Sequence, residues 1–275
     1  MLKVLQWNIR SIFSNFNDLK ILIQDIEPDV ICLNETFLNF NSIISISNYT
    51  ILRIDRQDGY GGLAFAVKNC IPYRNINFFD IDLPQNFQIA CISIGELSLI
   101  NVYVPPDIVL TDKHISEISP YLLDPFILLG DFNAQSPAWG SGRRNCNGLA
   151  VEEFLRDSNV TLLNDGTPTG LTPPSDNLSA PDLTICSTYL ALRCDWSVHQ
   201  DTGGSDHFPI SIVVEHPSAS RLEQKHFSTR RFNTKRANWN HYGCSVLEYM
   251  NTRPINNSSD FIDMMDAAAR QSIPL

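Results

Sequence analysis

The stretch "ILLGDFNAQSPAWGS", residues 127–141, carries a strong structural signal, because an apolar run stops at Gly130 and an acid and an amide follow, two residues apart. The run has the length and composition of a buried strand. Asp131 and Asn133 come directly after it, so both side chains stand where the strand leaves the core. In α/β proteins, binding sites form where strand ends converge. The stretch therefore predicts a buried strand that ends at a functional site.

Several other segments alternate apolar and polar residues as strands do, and few helices lie between them. One helix is predicted between the first two strands, capped by Ser14 or Asn15 and ended by Pro28, and a second over 147–157. This order predicts two packed sheets with helices outside, an α/β sandwich rather than a barrel. The predicted strands cover 3–8, 29–35, 61–68, 98–104, 125–131, 160–164, 182–186 and 208–214.

The charge of the chain is unevenly distributed. The net charge is −10, but residues 1–216 hold 12 basic against 25 acidic residues, and residues 217–275 hold 8 against 5. The pattern predicts a domain over 1–216, then a basic connector and a partial helical tail with weak helices near Trp239–Met250 and Ser259–Arg270. An acidic body argues against nonspecific coating of nucleic acid, although a divalent metal could still neutralise part of a polyanion-binding site.

Cysteine usage and hydropathy place limits on the cellular setting. The seven cysteines are scattered and form no C-x-x-C pair, which is typical of free thiols in a reducing compartment. No window holds eighteen consecutive apolar residues, and the first residues indicate a strand rather than a leader peptide. We therefore expect an intracellular protein with no membrane partner.

Polar residues stand at the ends of several predicted strands, where they would converge on one site. Carboxylates without cysteine favour Mg²⁺, or Mn²⁺ in its place, over zinc, and Mg²⁺ sites commonly bind phosphate esters. Asp131 could orient or deprotonate water, Asn133 could hold that water, and a protonated His207 could donate to a phosphoryl oxygen. The residues concerned are Asn8, Glu35, Tyr103, Asp131, Asn133, Asp206 and His207.

Six ordered motifs extend across most of 1–214: "QWNIRS", "LNET", "NVYVPP", "GDFNA", "APDLTI" and "GGSDHFPI". Together they resemble the endonuclease/exonuclease/phosphatase superfamily, which has the DNase I-like and abasic-site endonuclease fold. The resemblance implies a four-layer α/β sandwich of two packed, mainly antiparallel sheets flanked by helices. The stretches "SPAWGSGRRNCNGLAVEEFL" (136–155) and "PTGLTPPSDNLSAPDLTI" (168–185) resemble in particular the endonuclease domain of non-LTR, LINE-type retrotransposons.

This resemblance implies a metal-dependent endonuclease that nicks double-stranded DNA in the nucleus. The nick would leave a 3′-hydroxyl for a covalently linked reverse transcriptase, a domain absent from this chain. The resemblance implies that Asn8 organises the metal carboxylates, that Glu35 is the principal Mg²⁺ ligand and that Asp206 assists metal or water. Tyr103 would hydrogen-bond the scissile phosphate, and Asp131 and Asn133 would handle the nucleophile or leaving group. Asp182 would orient His207, which would contact the phosphate, and Arg143 and Arg144 would contact the DNA backbone.

Two departures and several alternatives stay open. Arg10 stands where many superfamily members carry an acid, and Ala180 where abasic-site enzymes carry an arginine, so a second metal and abasic-site repair both lose support. The same fold also serves phosphomonoesterases and phospholipid phosphatases, and a decayed copy would only bind nucleic acid. Singly, Glu35 could cap a helix, Tyr103 could be an ordinary core-edge tyrosine, and the two loop arginines could simply be solvated.

Overall fold

The computed structural model describes residues 1–78, 81–172, 177–215, 236–252 and 258–273. The chain divides into two compact units, Met1–Lys225 and His226–Leu275. The domain boundary predicted after residue 216 falls outside the described residues, and it stays a prediction.

Strands dominate the first unit, and helices form the second. In chain order the elements are β1 (Leu2–Asn8), α1 (Phe16–Ile26), β2 (Val30–Asn34), β3 (Tyr49–Ile54), β4 (Leu63–Lys68), β5 (Arg74–Ile76), β6 (Gln88–Ile94), β7 (Leu97–Tyr103), α2 (Asp112–Ile118), β8 (Phe126–Asp131), α3 (Cys146–Asp157), β9 (Val160–Leu162), β10 (Gly170–Thr172), β11 (Asn177–Ser179), β12 (Asp182–Ser187), β13 (Cys194–Val198), β14 (Ile210–Val214), α4 (Trp239–Thr252) and α5 (Ser258–Ser272). Short 3-10 turns lie at Ser119–Tyr121, Pro137–Trp139 and Thr188–Arg193.

Two six-stranded sheets form the first unit, in the orders β13-β14-β1-β2-β4-β3 and β5-β6-β7-β8-β12-β9. Each sheet has one parallel pair, β1–β2 in the first and β7–β8 in the second, and its other pairs are antiparallel. A separate hairpin joins β10 to β11. The predicted sandwich of two mainly antiparallel sheets flanked by helices is confirmed.

All eight predicted strands are present, as β1, β2, β4, β7, β8, β9, β12 and β14, and the four predicted helices are α1, α3, α4 and α5. The predicted side-chain cap of α1 is wrong in detail. Asn15 occupies the cap position, but its side chain makes no cap hydrogen bond; it donates instead to the carbonyl oxygen of Ile9, 2.7 Å away. The sequence did not predict the remaining elements, which are β3, β5, β6, β10, β11, β13 and α2.

Apolar side chains pack in three layers, one between the sheets and one on the outer face of each. On the first sheet, Trp7 and Ile31 pack with Leu19 of α1. On the second, Val102 and Ile185 belong to the cluster that includes Val151 of α3. Between the sheets lies the inner apolar cluster, which draws from both and includes Leu2, Val4, Val30, Cys32, Leu97, Leu99, Ile127, Leu129 and Cys186.

Further along the same inward faces the side chains become polar. Gln6, Asn34, Asn101 and Thr184, the inner polar cluster, are all fully buried. Alternation along each strand places them on the same face as the inner apolar cluster, because Gln6 follows Val4 by two residues and Asn101 follows Leu99 by two. The interior therefore changes from apolar to polar towards one end of both sheets.

Hydrogen bonds of the inner polar cluster join the two sheets. The amide nitrogen of Gln6 donates to the carbonyl oxygens of Gly130 and Leu183, each 3.3 Å away, and Thr184 donates to Gln6 Oε1 at 2.8 Å. Asn34 donates to Asn101 Oδ1 at 3.0 Å, and Asn101 donates back to the carbonyl of Leu33 at 3.1 Å. These bonds fix how one sheet sits on the other.

The second unit is a pair of packed helices. Tyr242 of α4 donates its hydroxyl to the sulfur of Met265 of α5 at 3.4 Å, and His241 Nδ1 lies 2.7 Å from Ser272 Oγ. Met264 and Ala268 are buried.

Candidate active site

The polar ends of five strands meet at one end of the sandwich. Asn8 ends β1, Glu35 follows β2, and Tyr103 and Asp131 end β7 and β8. Asp182 begins the antiparallel β12 and pairs with Asp131 in register. Because each parallel pair directs its carboxyl ends to the same side, the topology brings these residues together above the inner polar cluster.

Gly130 explains why the apolar run of β8 stops where it does. Its φ is 135°, and a Cβ built on it would lie 1.9 Å from the carbonyl oxygen of Val102 on the neighbouring strand. No side chain fits at that distance, so the position requires glycine. The close approach leaves β7 and β8 tightly paired next to Tyr103 and Asp131, which face each other in register.

The Asp131 carboxylate is held by hydrogen bonds on both oxygens. Asn8 donates its amide nitrogen to Oδ2 at 2.9 Å, and the backbone N–H of Asn133 donates to Oδ1 at 2.8 Å. Asn133 has a left-handed backbone, with φ of 47°, and its side chain donates to the Val104 carbonyl at 2.9 Å. The acid and the amide are thus rigidly placed side by side.

His207 is oriented by Asp182. Its Nδ1 lies 2.7 Å from Asp182 Oδ2, which also accepts a hydrogen bond from the Thr169 hydroxyl at 2.8 Å. The other ring nitrogen, Nε2, lies 3.9 Å from Asp131 Oδ2. The imidazole therefore bridges two buried carboxylates, with Asp182 holding one nitrogen and Asp131 near the other.

The shared burial and charge of these groups shift their pKa values. Burial raises the pKa of Asp131 to about 7, although the nearby His207 opposes that rise. Burial alone would lower the pKa of His207, but the charge and hydrogen bond of Asp182 and the charge of Asp131 raise it to about 10. At neutral pH His207 is therefore a cation and a hydrogen-bond donor on both nitrogens.

Glu35 and Tyr103 form the opposite wall. The Tyr103 hydroxyl donates to Glu35 Oε1 at 3.0 Å, and Glu35 is partly exposed with a left-handed φ of 51°. Burial, followed by the charges of Glu35 and Asp131, raises the pKa of Tyr103, so the hydroxyl stays protonated. No helix begins at Glu35 in the described chain, which removes the alternative that it is a helix cap.

Asp206 and the two loop arginines contact neighbouring side chains, and the metal or water contact predicted for Asp206 stays a prediction. Asp206 Oδ2 lies 2.8 Å from Arg10 Nη1. Arg143 donates to Gln135 Oε1 at 3.2 Å, and Arg144 donates to Glu152 Oε1 at 2.9 Å. Both loop arginines are exposed, so their contact with DNA stays a prediction.

The site can hold a metal ion. Asp131, Asp182 and His207 each offer one ligand atom within 4.8 Å of the others, but His207 can be a ligand only as the neutral imidazole, so the two carboxylates are the ligands present at neutral pH. Asp182 Oδ1 is buried and has no hydrogen-bond partner, which leaves one ligand oxygen free. A donor set rich in carboxylate oxygen fits a hard divalent cation. The predicted ligand Glu35 lies outside this group of three, and Mg²⁺ as the metal stays a prediction.

Sequence reasoning missed several residues that build the site. Thr169 holds Asp182, and Ser205 links the two segments by donating to the Asn8 carbonyl at 2.7 Å while it accepts from the His207 N–H at 3.1 Å. Thr169 has no pattern that distinguishes it from an ordinary loop hydroxyl, whereas Ser205 lies in the motif "GGSDHFPI" but had been given no role. Arg10, in contrast, could be noticed in the sequence, because it stands two residues after Asn8, where many members of the superfamily that the chain resembles carry an acid.

Comparison with known proteins identifies a family and relatives that this chain resembles. Residues 97–211 match the model of a family described as endonuclease-reverse transcriptase. The RNA-directed DNA polymerase from transposon X-element of Drosophila melanogaster is 26% identical over 242 residues, which cover 84% of this chain. The chain spans only 26% of that relative's length.

Solved structures match the first unit's architecture. The endonuclease domain of TRAS1, a telomere-specific non-LTR retrotransposon, aligns over 78% of this chain and 97% of its own, with a TM-score of 0.62 and 21% identity. An AP endonuclease from Archaeoglobus fulgidus aligns over 78% and 100%, with a TM-score of 0.64 and 18% identity. The fold is therefore DNase I-like, and the predicted resemblance to this superfamily and its retrotransposon branch is confirmed. Among the described residues, no helix is long and apolar enough to cross a membrane.

Proposed function

We propose that this chain is the endonuclease part of a non-LTR retrotransposon protein and that it nicks double-stranded DNA with Mg²⁺, or Mn²⁺ in its place. The observation that carries the proposal is the Asp182–His207 pair, 2.7 Å apart, set 3.9 Å from the buried Asp131 carboxylate. A buried acid, an oriented cation and a partly exposed carboxylate, Glu35, are the groups that phosphodiester hydrolysis needs.

His207 is the electrostatic partner of the phosphate in this mechanism. Asp182 fixes the ring and favours its charged form, so that Nε2 is left to donate to a non-bridging phosphoryl oxygen. Charge develops on that oxygen in the transition state, and a donor already in place stabilises it without reorganisation. Asp182 therefore acts through His207 as a positioning residue.

Asp131 acts on the attacking water. Its hydrogen bonds from Asn8 and Asn133 hold the carboxylate in one orientation, from which it orients the water or accepts its proton. Asn133 adds an amide at the same place. Positioned acid–base assistance of this kind contributes roughly 10²–10⁴-fold in rate.

Glu35 is the proposed principal metal ligand, with Asn8 and Asp206 supporting the ligand set. A divalent cation bound there would neutralise charge on the phosphate oxygens and the leaving group. Tyr103 orients the Glu35 carboxylate through its hydroxyl, which burial keeps protonated, and its proposed hydrogen bond to the scissile phosphate would replace the one to Glu35.

The biological product we propose is a 3′-hydroxyl end that primes reverse transcription, beside a 5′-phosphate. The TRAS1 structure is an endonuclease domain, and the X-element relative is an RNA-directed DNA polymerase that is much longer than this chain. A reverse transcriptase linked in the same polypeptide would use the end in place, and its target would be nuclear DNA.

A plasmid-nicking assay on the full chain tests the proposal. Supercoiled plasmid is incubated with Mg²⁺, with EDTA, and with EDTA followed by excess Mg²⁺. Asp131→Asn serves as the site variant. Asp195→Asn is its matched control, because that residue lies on β13, outside the site, and the substitution is identical. Nicked products are then offered to a DNA polymerase and to a ligase.

The expected result is metal-dependent relaxation by the wild type and by Asp195→Asn, and loss of at least about 100-fold in Asp131→Asn. The nick should be extended directly by polymerase and sealed by ligase, which requires 3′-hydroxyl and 5′-phosphate ends. Intact plasmid combined with phosphate release from a soluble monoester would move the function to a phosphatase of the same fold. If the chain shows neither activity, that result would indicate a decayed copy.

A further inference from the structure

Arg10 occupies a strained and tightly held turn at the edge of the site. Arg10 and Ser11 are consecutive non-glycine residues with left-handed backbones, with φ of 44° and 85°. Such conformations are unfavourable for residues with a side chain and persist only where the surrounding structure fixes them. Clustered strain of this kind is typical of functional positions.

The fixing contacts come from the Glu35 turn. The backbone N–H of Ser11 donates to the Glu35 carbonyl at 2.8 Å, and the N–H of Ile12 donates to the Thr36 carbonyl at 3.0 Å. The N–H of Arg10 itself donates to Asn8 Oδ1 at 3.2 Å. Arg10 is therefore rigidly placed relative to the residue that holds Asp131 and to the proposed metal ligand.

The side chain of Arg10 reaches across the site entrance to Asp206. Nη1 lies 2.8 Å from Asp206 Oδ2, and the two side chains are 53% and 23% exposed. Asp206 directly precedes His207, and its carbonyl accepts a hydrogen bond from Leu171 at 2.7 Å. The guanidinium is thus anchored at one nitrogen beside His207, while about half of the Arg10 side chain is exposed to solvent.

The charge around this entrance calls for a cation. Asp131 and Asp182 carry buried carboxyl groups on either side of His207, Glu35 and Asp206 border the same site, and a DNA phosphate brings further negative charge. A guanidinium matches phosphate geometry with paired donors, and its charge does not titrate away. Since an exposed ion pair contributes little net stability, Arg10 can share its donors between Asp206 and a phosphate at small cost.

We infer that Arg10 binds a phosphate of the DNA backbone, at or next to the bond that is cut, and that Asp206 holds the guanidinium in position. This inference rests on the proposed nuclease function. Asp206 then has two tasks, because the oxygen that holds Arg10 is Oδ2 and Oδ1 is left for the metal or water contact proposed above.

The test compares the full chain with Arg10→Gln, Asp206→Asn and the exchanged pair Arg10→Asp with Asp206→Arg. Arg193→Gln is the matched control, because Arg193 is also exposed and lies near Val214, which pairs with Leu2 at the opposite end of β1. Nicking gives kcat and KM. Fluorescence anisotropy of a labelled duplex in EDTA gives Kd without cleavage, over a series of salt concentrations, and thermal unfolding reports on folding.

We expect Arg10→Gln to weaken duplex binding and to lower kcat/KM roughly tenfold to a hundredfold, the range for one charge-assisted hydrogen bond. The slope of log Kd against log salt should fall by about 1, as for one lost phosphate contact. Arg193→Gln should change none of these. The exchanged pair keeps an ion pair but moves the guanidinium, so it should unfold at about the same temperature as the wild type without restoring DNA binding.

Two results would overturn the inference. If the exchanged pair recovers both stability and DNA binding, Arg10 has a structural role alone. If Arg10→Gln binds and nicks like Arg193→Gln, the residue contacts no phosphate. Failure of the wild type to nick is a separate outcome, because it removes the proposed function whatever the Arg10 variants do in the binding assay.

Discussion

The two ends of the interior between the sheets are built on opposite principles. At one end the inner apolar cluster fills the space with Leu, Val, Ile and Cys side chains, which stabilise by burial alone. At the other, the inner polar cluster fills it with amides and a threonine whose hydrogen bonds are directional. Apolar packing tolerates small shifts of one sheet over the other, whereas directional bonds do not. The end that carries the site is the end with the directional contacts.

The largest expected effect separates chemistry from folding. His207→Gln removes the cation beside Asp131 but keeps a polar group near Asp182, so nicking should fall by about 10²–10⁴-fold. The melting temperature should fall as well, because Asp182 loses its buried charged partner. Rate and melting curve are measured on the same preparation, and a fall in nicking that only matched the loss of folded protein would show that His207 serves folding rather than chemistry.

The next effect lies at the apolar end. Leu99→Ala leaves a cavity in the inner apolar cluster, and such changes cost about 2–5 kcal/mol in the free energy of unfolding. Urea unfolding measures this loss. Nicking per folded molecule should be unchanged at low temperature, because no group of the site is touched. A matching loss of specific activity would abolish the distinction between the two ends.

A smaller effect tests the inner polar cluster directly. Asn34→Leu leaves Asn101 Oδ1 and the Val102 carbonyl without their donor, which should cost about 1–3 kcal/mol. Adding Asn101→Leu removes the other partner and should recover part of that loss.

The double variant decides what the inner polar cluster is for. Since Glu35 follows Asn34 directly, a stable double variant with weakened nicking would mean that these amides position the site. A double variant that is both stable and fully active would mean that they are only one way of filling the space.

The smallest effect, at most about 1.4 kcal/mol per pH unit, is a dependence of stability on pH that is confined to the polar end. The fold raises the pKa of His207 to about 10, so its stabilising contribution is complete below the unfolded value near 6.5 and is lost as pH rises towards 10. In EDTA, the free energy of unfolding should therefore decrease between about pH 6.5 and 10. His207→Gln should flatten that slope, and Leu99→Ala should lower the curve without changing its shape.

How much of the fold could be predicted from the sequence depends on where each element lies in the sheets. Apolar composition identified β1, β2, β7 and β8 because these central strands bury both faces. It missed β3 and β13, whose residues are half-exposed, and the three-residue β5, β10 and β11. The apolar β6 was within reach, since Gly95 and Glu96 mark a tight turn before β7.

The site residues were proposed from motifs, but the contacts among them were not. That Asp182 faces Asp131 depends on the register of β12 against β8, which no local pattern specifies. The Arg10–Asp206 pair joins residues 196 positions apart. Whether Glu35 meets Tyr103 depends on how the two sheets are stacked.

Because the site is divided between the two sheets, the turnover rate depends on how the sheets are positioned relative to each other. Asn8, Glu35 and His207 belong to the first sheet and the segments beside its strands, whereas Tyr103, Asp131 and Asp182 belong to the second. A misplacement of about 1 Å between reacting groups can cost on the order of a hundredfold in rate. Hydrostatic pressure or dilute urea that lets one sheet slide on the other should therefore abolish the nicking activity while both sheets are still folded.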